Sequence, residues 1–98
     1  MDMEALMAQA AELQNKVAAA QEKLAQTTVK GIAPSGGCVV DMTGKYDVIK
    51  LTINPDTLAN GVDAVESAVM AAYMDAKHKA DTMIDQVMGD ATAGIPMP

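Results

Sequence analysis

The stretch CVVDMTGKYDVIKLTINPD, residues 38–56, decides the fold. Cys38, Val40 and Met42 alternate with Val39, Asp41 and Thr43; after a turn around Gly44 and Lys45, Ile49, Leu51 and Ile53 alternate with Lys50, Thr52 and Asn54. A period of two is that of a half-buried strand, and two such runs joined by a short Gly-containing turn make a β-hairpin. Asn54-Pro55-Asp56 stops the second run, because proline has no N–H for the ladder and biases the residue before it away from helix. Upstream, Thr27, Thr28 and Val29 read as a strand ending near Gly31 and Ile32, and residues 33–37, with Pro34, Ser35 and a Gly pair, as a loop. The middle of the chain is therefore predicted to be a three-stranded antiparallel meander whose apolar side needs a cover.

Helical patterns flank it on both sides. From residue 3 to about residue 26 there is no Gly or Pro, and Ala, Leu, Gln, Glu, Lys and Met dominate. Met3, Leu6, Ala10, Leu13, Val17, Ala20 and Leu24 recur at steps of three and four, the a/d seam of a coiled-coil-like helix. Such a helix is roughly 36 Å long, more than one small sheet requires, so part of it should pack on another long helix. After the proline, Val62, Val65, Val69, Ala72, Ala76, Ala80, Met83 and Val87 mark a second long helix from about residue 60 to residue 88, with Gly89 as terminator. Residues 1–88 are expected to form a single α+β domain and residues 89–98 a disordered Gly/Pro-rich tail.

Composition narrows the function. The 98 residues include two Tyr (Tyr46, Tyr73), no Phe and no Trp, so the core is built of small parts. Aromatic side chains dominate the energetics of most cores, and a lone subunit without them starts with little hydrophobic stabilisation. A homodimer is the expected remedy, with Leu6, Leu13, Val17, Leu24, Ile49, Leu51 and Ile53 as candidate interface residues. Seven Lys, with no Arg, face thirteen Asp plus Glu, a net charge of −6 that opposes approach to a polyanion unless the lysines are segregated on one face. The acidic N-terminus is neither a secretory signal nor a membrane span, and the single cysteine, Cys38, reads as a reduced structural thiol in the cytoplasm.

Catalytic and metal chemistry have no constellation here. Cys38 and His78 are the only residues of their kind and fall in separate elements, too few for a zinc site and without an evident activating partner. The glycine-containing loop at residues 31–37 ends in no Lys-Ser or Lys-Thr pair and precedes no helix, so it cradles no phosphate. No enzyme and no cofactor are expected. Lys77-His78-Lys79 is the densest basic point and the first candidate for phosphate contacts; Lys16 and Lys23, seven apart on one helical stripe with Lys30 continuing past the helix end, and the hairpin residues Lys45 and Lys50, with Lys50 on the expected outer face of its strand, are the others. Each has a plainer reading as a solvated face, since Glu12 lies four before Lys16, Asp75 four before Lys79 and Asp81 four after Lys77.

The ordered combination resembles the YbaB/EbfC family of bacterial nucleoid-associated proteins. It comprises the residue 6–24 helix, Val29-Lys30-Gly31, the Gly36-Gly37 pair, Gly44 at the hairpin, and Ile53-Asn54-Pro55 leading to Leu58. Ala71-Ala72-Tyr73-Met74-Asp75-Ala76 and the Gly94-Ile95-Pro96-Met97-Pro98 end complete it. The resemblance covers nearly the whole chain. It implies a tweezer-like homodimer, with long helices projecting from a central β layer, that binds DNA and catalyses nothing; members are often acidic overall. Where the family commonly has arginines after the Asp-Ala of its second helix, this chain has Lys77, His78 and Lys79, which keep charge but lose the bidentate fork of Arg.

Two readings follow. In one, a nucleoid-associated homodimer binds duplex DNA with low sequence specificity through Lys77, His78, Lys79, Lys16, Lys23, Lys45 and Lys50. In the other, an acidic dimeric scaffold binds a recombination or replication protein without touching DNA. Lysines gathered on one continuous face would favour the first, and carboxylates interleaved among them the second.

Overall fold

The computed structural model describes residues 2–92. The chain runs through helix α1 (Met3–Gln26), strands β1 (Thr28–Ile32), β2 (Cys38–Thr43) and β3 (Val48–Ile53), a short helix α2 (Pro55–Ala59) and a long helix α3 (Val62–Thr92). The sheet is the expected antiparallel meander, in the order β1-β2-β3. Asp2 caps α1 by accepting a hydrogen bond from the Glu4 N–H at 3.3 Å, and an unbroken run of strong helix formers carries it 24 residues.

The Asn54-Pro55-Asp56 triplet does more than stop a strand. The Asn54 side chain accepts from the Asp56 N–H at 2.9 Å, and Pro55 sits in the first turn, where its missing N–H costs nothing. These residues start α2, an element beyond those the sequence pattern predicts. α3 in turn runs through Gly89 to Thr92 instead of ending before it, so residues 89–92, expected as tail, are helical; residues 93–98 of that expected tail lie outside the described residues.

The core lies between α3 and one face of β1 and β2. Cys38, Val40 and Met42 are fully buried there, beneath a row of small side chains at four-residue steps, Ala68, Ala72, Ala76 and Ala80. Those alanines let the helix axis come close, and Gly31 on β1 completes the approach: a Cβ added there would lie 2.1 Å from the Ala72 carbonyl oxygen and 2.5 Å from the Ala76 Cβ. Val62, expected in the helix seam, is instead exposed, and Ala68 takes a buried place in it. The core is as thin as the composition implies, for Met42, Val40 and Cys38 are its largest fully buried side chains.

Most of β3 is left outside this cover: Ile53, a candidate interface residue, is half-buried and packs against the core, but the rest of the strand is exposed. By register Cys38 faces Ile53, Val40 faces Leu51 and, across a bulge between Asp41 and Met42, Met42 faces Val48. Directly opposed residues of an antiparallel pair share a face, so Leu51 and Val48 lie on the core side of the sheet. They are exposed nonetheless, Leu51 at 47 % and Val48 at 48 %. The hairpin before β3 is a three-residue loop closed by the Thr43 N–H on the Asp47 carbonyl at 2.9 Å, with Tyr46 at φ 67 in the left-handed position such loops require.

The other end of the molecule is an arm. α1 returns alongside the distal half of α3, where Ala20 and Leu24 are buried and Leu13 and Val17 half-buried, while Met3, Leu6 and Ala10 of the same seam are exposed. Leu24, expected at a dimer interface, is sheltered by its own chain: the Gly44 N–H donates to its carbonyl at 2.8 Å, and a Cβ on Gly44 would strike it. The molecule measures 67 × 19 × 14 Å, too drawn out for its own core to shelter all of that seam.

Candidate nucleic-acid interface

The candidate lysines fall into separate groups. Lys16 and Lys23 line one groove between α1 and α3, opposite Val87, Asp90 and Ala91. Lys16 is also paired with Glu12 at 3.4 Å, on the wet side of α1 as expected. Lys45 stands at the β2–β3 turn, beside Tyr46, Ile84 and Met88. Lys77 and His78 border a second groove with Met70, Tyr73, Met74 and Asp81 on α3.

Lys79 does not join Lys77. Residues two apart on a helix point to nearly opposite sides, and Lys79 reaches the free edge of β1, donating to the Lys30 carbonyl at 2.8 Å. Asp75, one turn earlier, accepts from the Ile32 N–H at 2.9 Å and pairs with Lys79 at 3.0 Å. The two side chains clamp the open edge of the sheet, where unpaired main-chain groups would otherwise invite another strand. The Ile32 N–H, and then the Lys79 ammonium, hold the Asp75 carboxyl below its usual range. Lys79 thus has partners within its own chain, its side chain remaining 44 % exposed.

Asp81 is likewise diverted. It accepts a hydrogen bond from the Tyr46 hydroxyl across to the hairpin, and so does not pair with Lys77, as its spacing of four suggests. Lys77 has no ion pair among the described residues. The Asp81 bond, with burial second, pushes the Tyr46 phenol up.

Lys50 belongs to a further group, in which the sheet aligns it with Lys30, a grouping the sequence does not single out. On the sheet face turned away from α3, Asp41 of β2 is flanked by Lys30 of β1 and Lys50 of β3 in the same cross-strand row. Lys30 Nζ lies 2.9 Å from Asp41 Oδ1; the Lys30 side chain is 67 % exposed and the Asp41 side chain only 13 %. The signal for this row is present, since Lys30, Asp41 and Lys50 all fall on the outward phase of their strands, but the register that aligns them cannot be read from the pattern.

The described residues offer no competing chemistry. Among them, no three His, Cys, Asp or Glu side chains gather in a way that could hold a metal ion. Cys38 is a free thiol beneath α3, and burial pushes it up, away from the reactive thiolate. His78 is exposed on the other side of that helix's packing face. No helix among the described residues is long and apolar enough to cross a membrane.

Compared with known proteins, residues 1–95 match the sequence model of the YbaB/EbfC DNA-binding family. The chain belongs to that family. The YbaB/EbfC fold extends to a crystal structure of an uncharacterized protein, HP0035 from Helicobacter pylori. The two are 18 % identical and superpose with a TM-score of 0.78, over 92 % of this chain and 96 % of that one. At that identity the likeness speaks to the fold alone: the helix, meander and long-helix order read from the sequence is the YbaB/EbfC arrangement.

Proposed function

We propose that this YbaB/EbfC protein works as a tweezer-like homodimer that binds duplex DNA with low sequence specificity, as a nucleoid-associated protein of the cytoplasm without catalysis or cofactor. The match to a DNA-binding family over residues 1–95 carries this reading. Without Arg, and with only Tyr46 and Tyr73 as aromatics, the chain has little with which to read base edges or stack on bases, so its contacts are lysine-to-phosphate positioning contacts.

The dimer rests on uncovered apolar surface. Ile49 and Leu51 on β3, Met70, Tyr73 and Met74 on α3, and Met3, Leu6 and Met7 on the α1 arm are all exposed in the single chain. Apolar surface in contiguous strips is unusual on a stable monomer. A second copy, bringing the same strips by symmetry, supplies the missing cover.

A gel-shift series with unrelated duplexes between about 50 and 200 mM salt tests the DNA reading. A protein neutralising about 6 to 10 phosphates loses roughly 10³- to 10⁵-fold in affinity over that range. Salt-insensitive or strongly sequence-selective binding contradicts it. The acidic scaffold reading keeps two observations in its favour: the candidate lysines fall into separate groups, and carboxylates interleave with the helix lysines at Glu12, Asp75, Asp81 and Asp90. Capture of a recombination or replication protein from extract, undiminished by nuclease and without any duplex shift, would establish that reading instead.

A further inference from the structure

We propose that the β2–β3 hairpin is a latch at the root of the arm, closed by the Tyr46 hydroxyl on Asp81, and that it fixes how closely α1 lies on α3. Among the described residues, Tyr46 is the only one other than glycine with a positive φ, at 67. That region suits glycine, and a bulky side chain stays there only when its surroundings hold it. Here the hold comes from α3: the hydroxyl donates to the Asp81 carboxylate, 35 residues along the chain. The Asp81 bond, and then burial, push the phenol up, so the hydroxyl keeps the proton it donates.

The hairpin joins the two helices of the arm. On one side the Gly44 N–H donates to the Leu24 carbonyl at 2.8 Å and to the Thr27 carbonyl at 3.2 Å, fastening the end of α1. On the other side Tyr46 fastens it to α3. Within the turn, the buried Thr43 hydroxyl accepts from the Lys45 and Asp47 N–H groups, each at 3.2 Å, so the turn is stiff enough to move as one piece. Beneath it a cleft of about 410 Å³ runs between Leu24 of α1 and Ile84 and Met88 of α3. Beyond the cleft, α1 meets α3 through Ala20 and the half-buried Val17 and Leu13, a thin seam of modest side chains. With the Tyr46–Asp81 bond made, the hairpin bridges the cleft and draws the end of α1 onto α3. With it broken, the turn carries that end away and Leu24 opens to water. The latch is a property of one chain; in the proposed homodimer, one in each chain sets the gap between the arms.

The test is the rate at which an aromatic disulfide reagent labels thiols of the full chain carrying Leu24→Cys. The introduced thiol takes a place only 5 % exposed and reacts when the arm root opens, whereas Cys38, fully buried beneath α3, reports opening of the core. The introduced thiol should react faster than Cys38, and Tyr46→Phe should speed it about tenfold, the factor lost with one hydrogen bond to a charged group. Asp81→Ala should do the same, and the two together should still give about tenfold and not about a hundredfold, because they break one bond. Tyr46→Gly should speed labelling as well, although glycine relieves the backbone, since it too removes the hydroxyl. Ala20→Cys, at 6 % exposed on the same helix, serves if Leu24→Cys fails to fold. An introduced thiol no faster than Cys38 overturns the latch, because the arm then opens only with the core. So does a Tyr46→Phe effect under about threefold, a multiplied effect in the double variant, or slower labelling with Tyr46→Gly.

Discussion

Replacing Gly31 by Ala asks how closely α3 lies on the sheet. The added methyl would sit 2.1 Å from the Ala72 carbonyl oxygen, 2.4 Å from the Ala76 nitrogen and 2.5 Å from the Ala76 Cβ. Two of those atoms are helix backbone and cannot swing aside as a side-chain end would, so the closest contact must open by about 1.4 Å to reach an ordinary distance of about 3.5 Å. A gap of about 0.5–1 Å already forfeits roughly a quarter to a half of the dispersion energy across it, and this one opens over Val40 and Met42, the core's largest fully buried side chains with Cys38. Overpacking typically costs about 1–3 kcal/mol; with backbone in the way, the upper end, about 3 kcal/mol, is expected. At a urea dependence of about 1.5 kcal/mol per molar, the unfolding midpoint falls by about 2 M. Gly89→Ala is the control, since its methyl meets nothing within 4 Å in the interior of α3. It should raise stability by about 0.5–1 kcal/mol, the usual Gly-to-Ala difference in a helix. Both are read by circular dichroism at one fixed protein concentration, because a dimer's stability depends on it. A Gly31→Ala loss under about 1 kcal/mol would refute the close approach.

Two further outcomes test other parts of the structure. Asp75 has its carboxyl held below the usual 3.8 by the Ile32 N–H and then by Lys79. A carboxylate with a depressed folded pKa stabilises above its unfolded pKa, and that stabilisation is lost as pH falls through the folded value. The urea midpoint should therefore drop more steeply below about pH 4 in the unaltered protein than in Asp75→Asn; parallel curves would dissolve the edge clamp. Leu51→Glu should leave a folded single chain, because its own chain leaves Leu51 47 % exposed, whereas Leu24→Glu should unfold, because Leu24 is only 5 % exposed within one chain. Ultracentrifugation with circular dichroism separates the two outcomes.

The parts legible in the sequence are those set by local period and composition. Residues 38–43 and 49–53 betray their strands by alternation, and residues 3–26 betray a helix by their residue types, because these signals need no distant partner. What escapes depends on register and on where elements end. Ile49, Leu51 and Ile53 look like one continuous core face, yet the Asp41/Met42 bulge brings Val48 opposite Met42, and only Ile53 of the three packs against the core while Ile49 and Leu51 stay exposed. Met3 to Leu24 looks like one seam, but α3 shelters only its later half. Asn54 and Pro55 carry a helix-start signal that the strand stop masks, since the same two residues serve both ends. At the candidate interface, adjacency in sequence misleads: Lys77 and Lys79 are neighbours in the chain but serve different sides of the helix, whereas Lys30 and Lys50, far apart in the chain, share a row across the sheet.

Sedimentation equilibrium of the full chain at micromolar concentration weighs most directly on whether the exposed strips of β3, α3 and the α1 arm are closed by a second copy. A species of twice the 10.2 kDa chain mass is expected. A compact, stable species of 10.2 kDa would show that one chain shelters its apolar surface alone, and the homodimer would have to be given up.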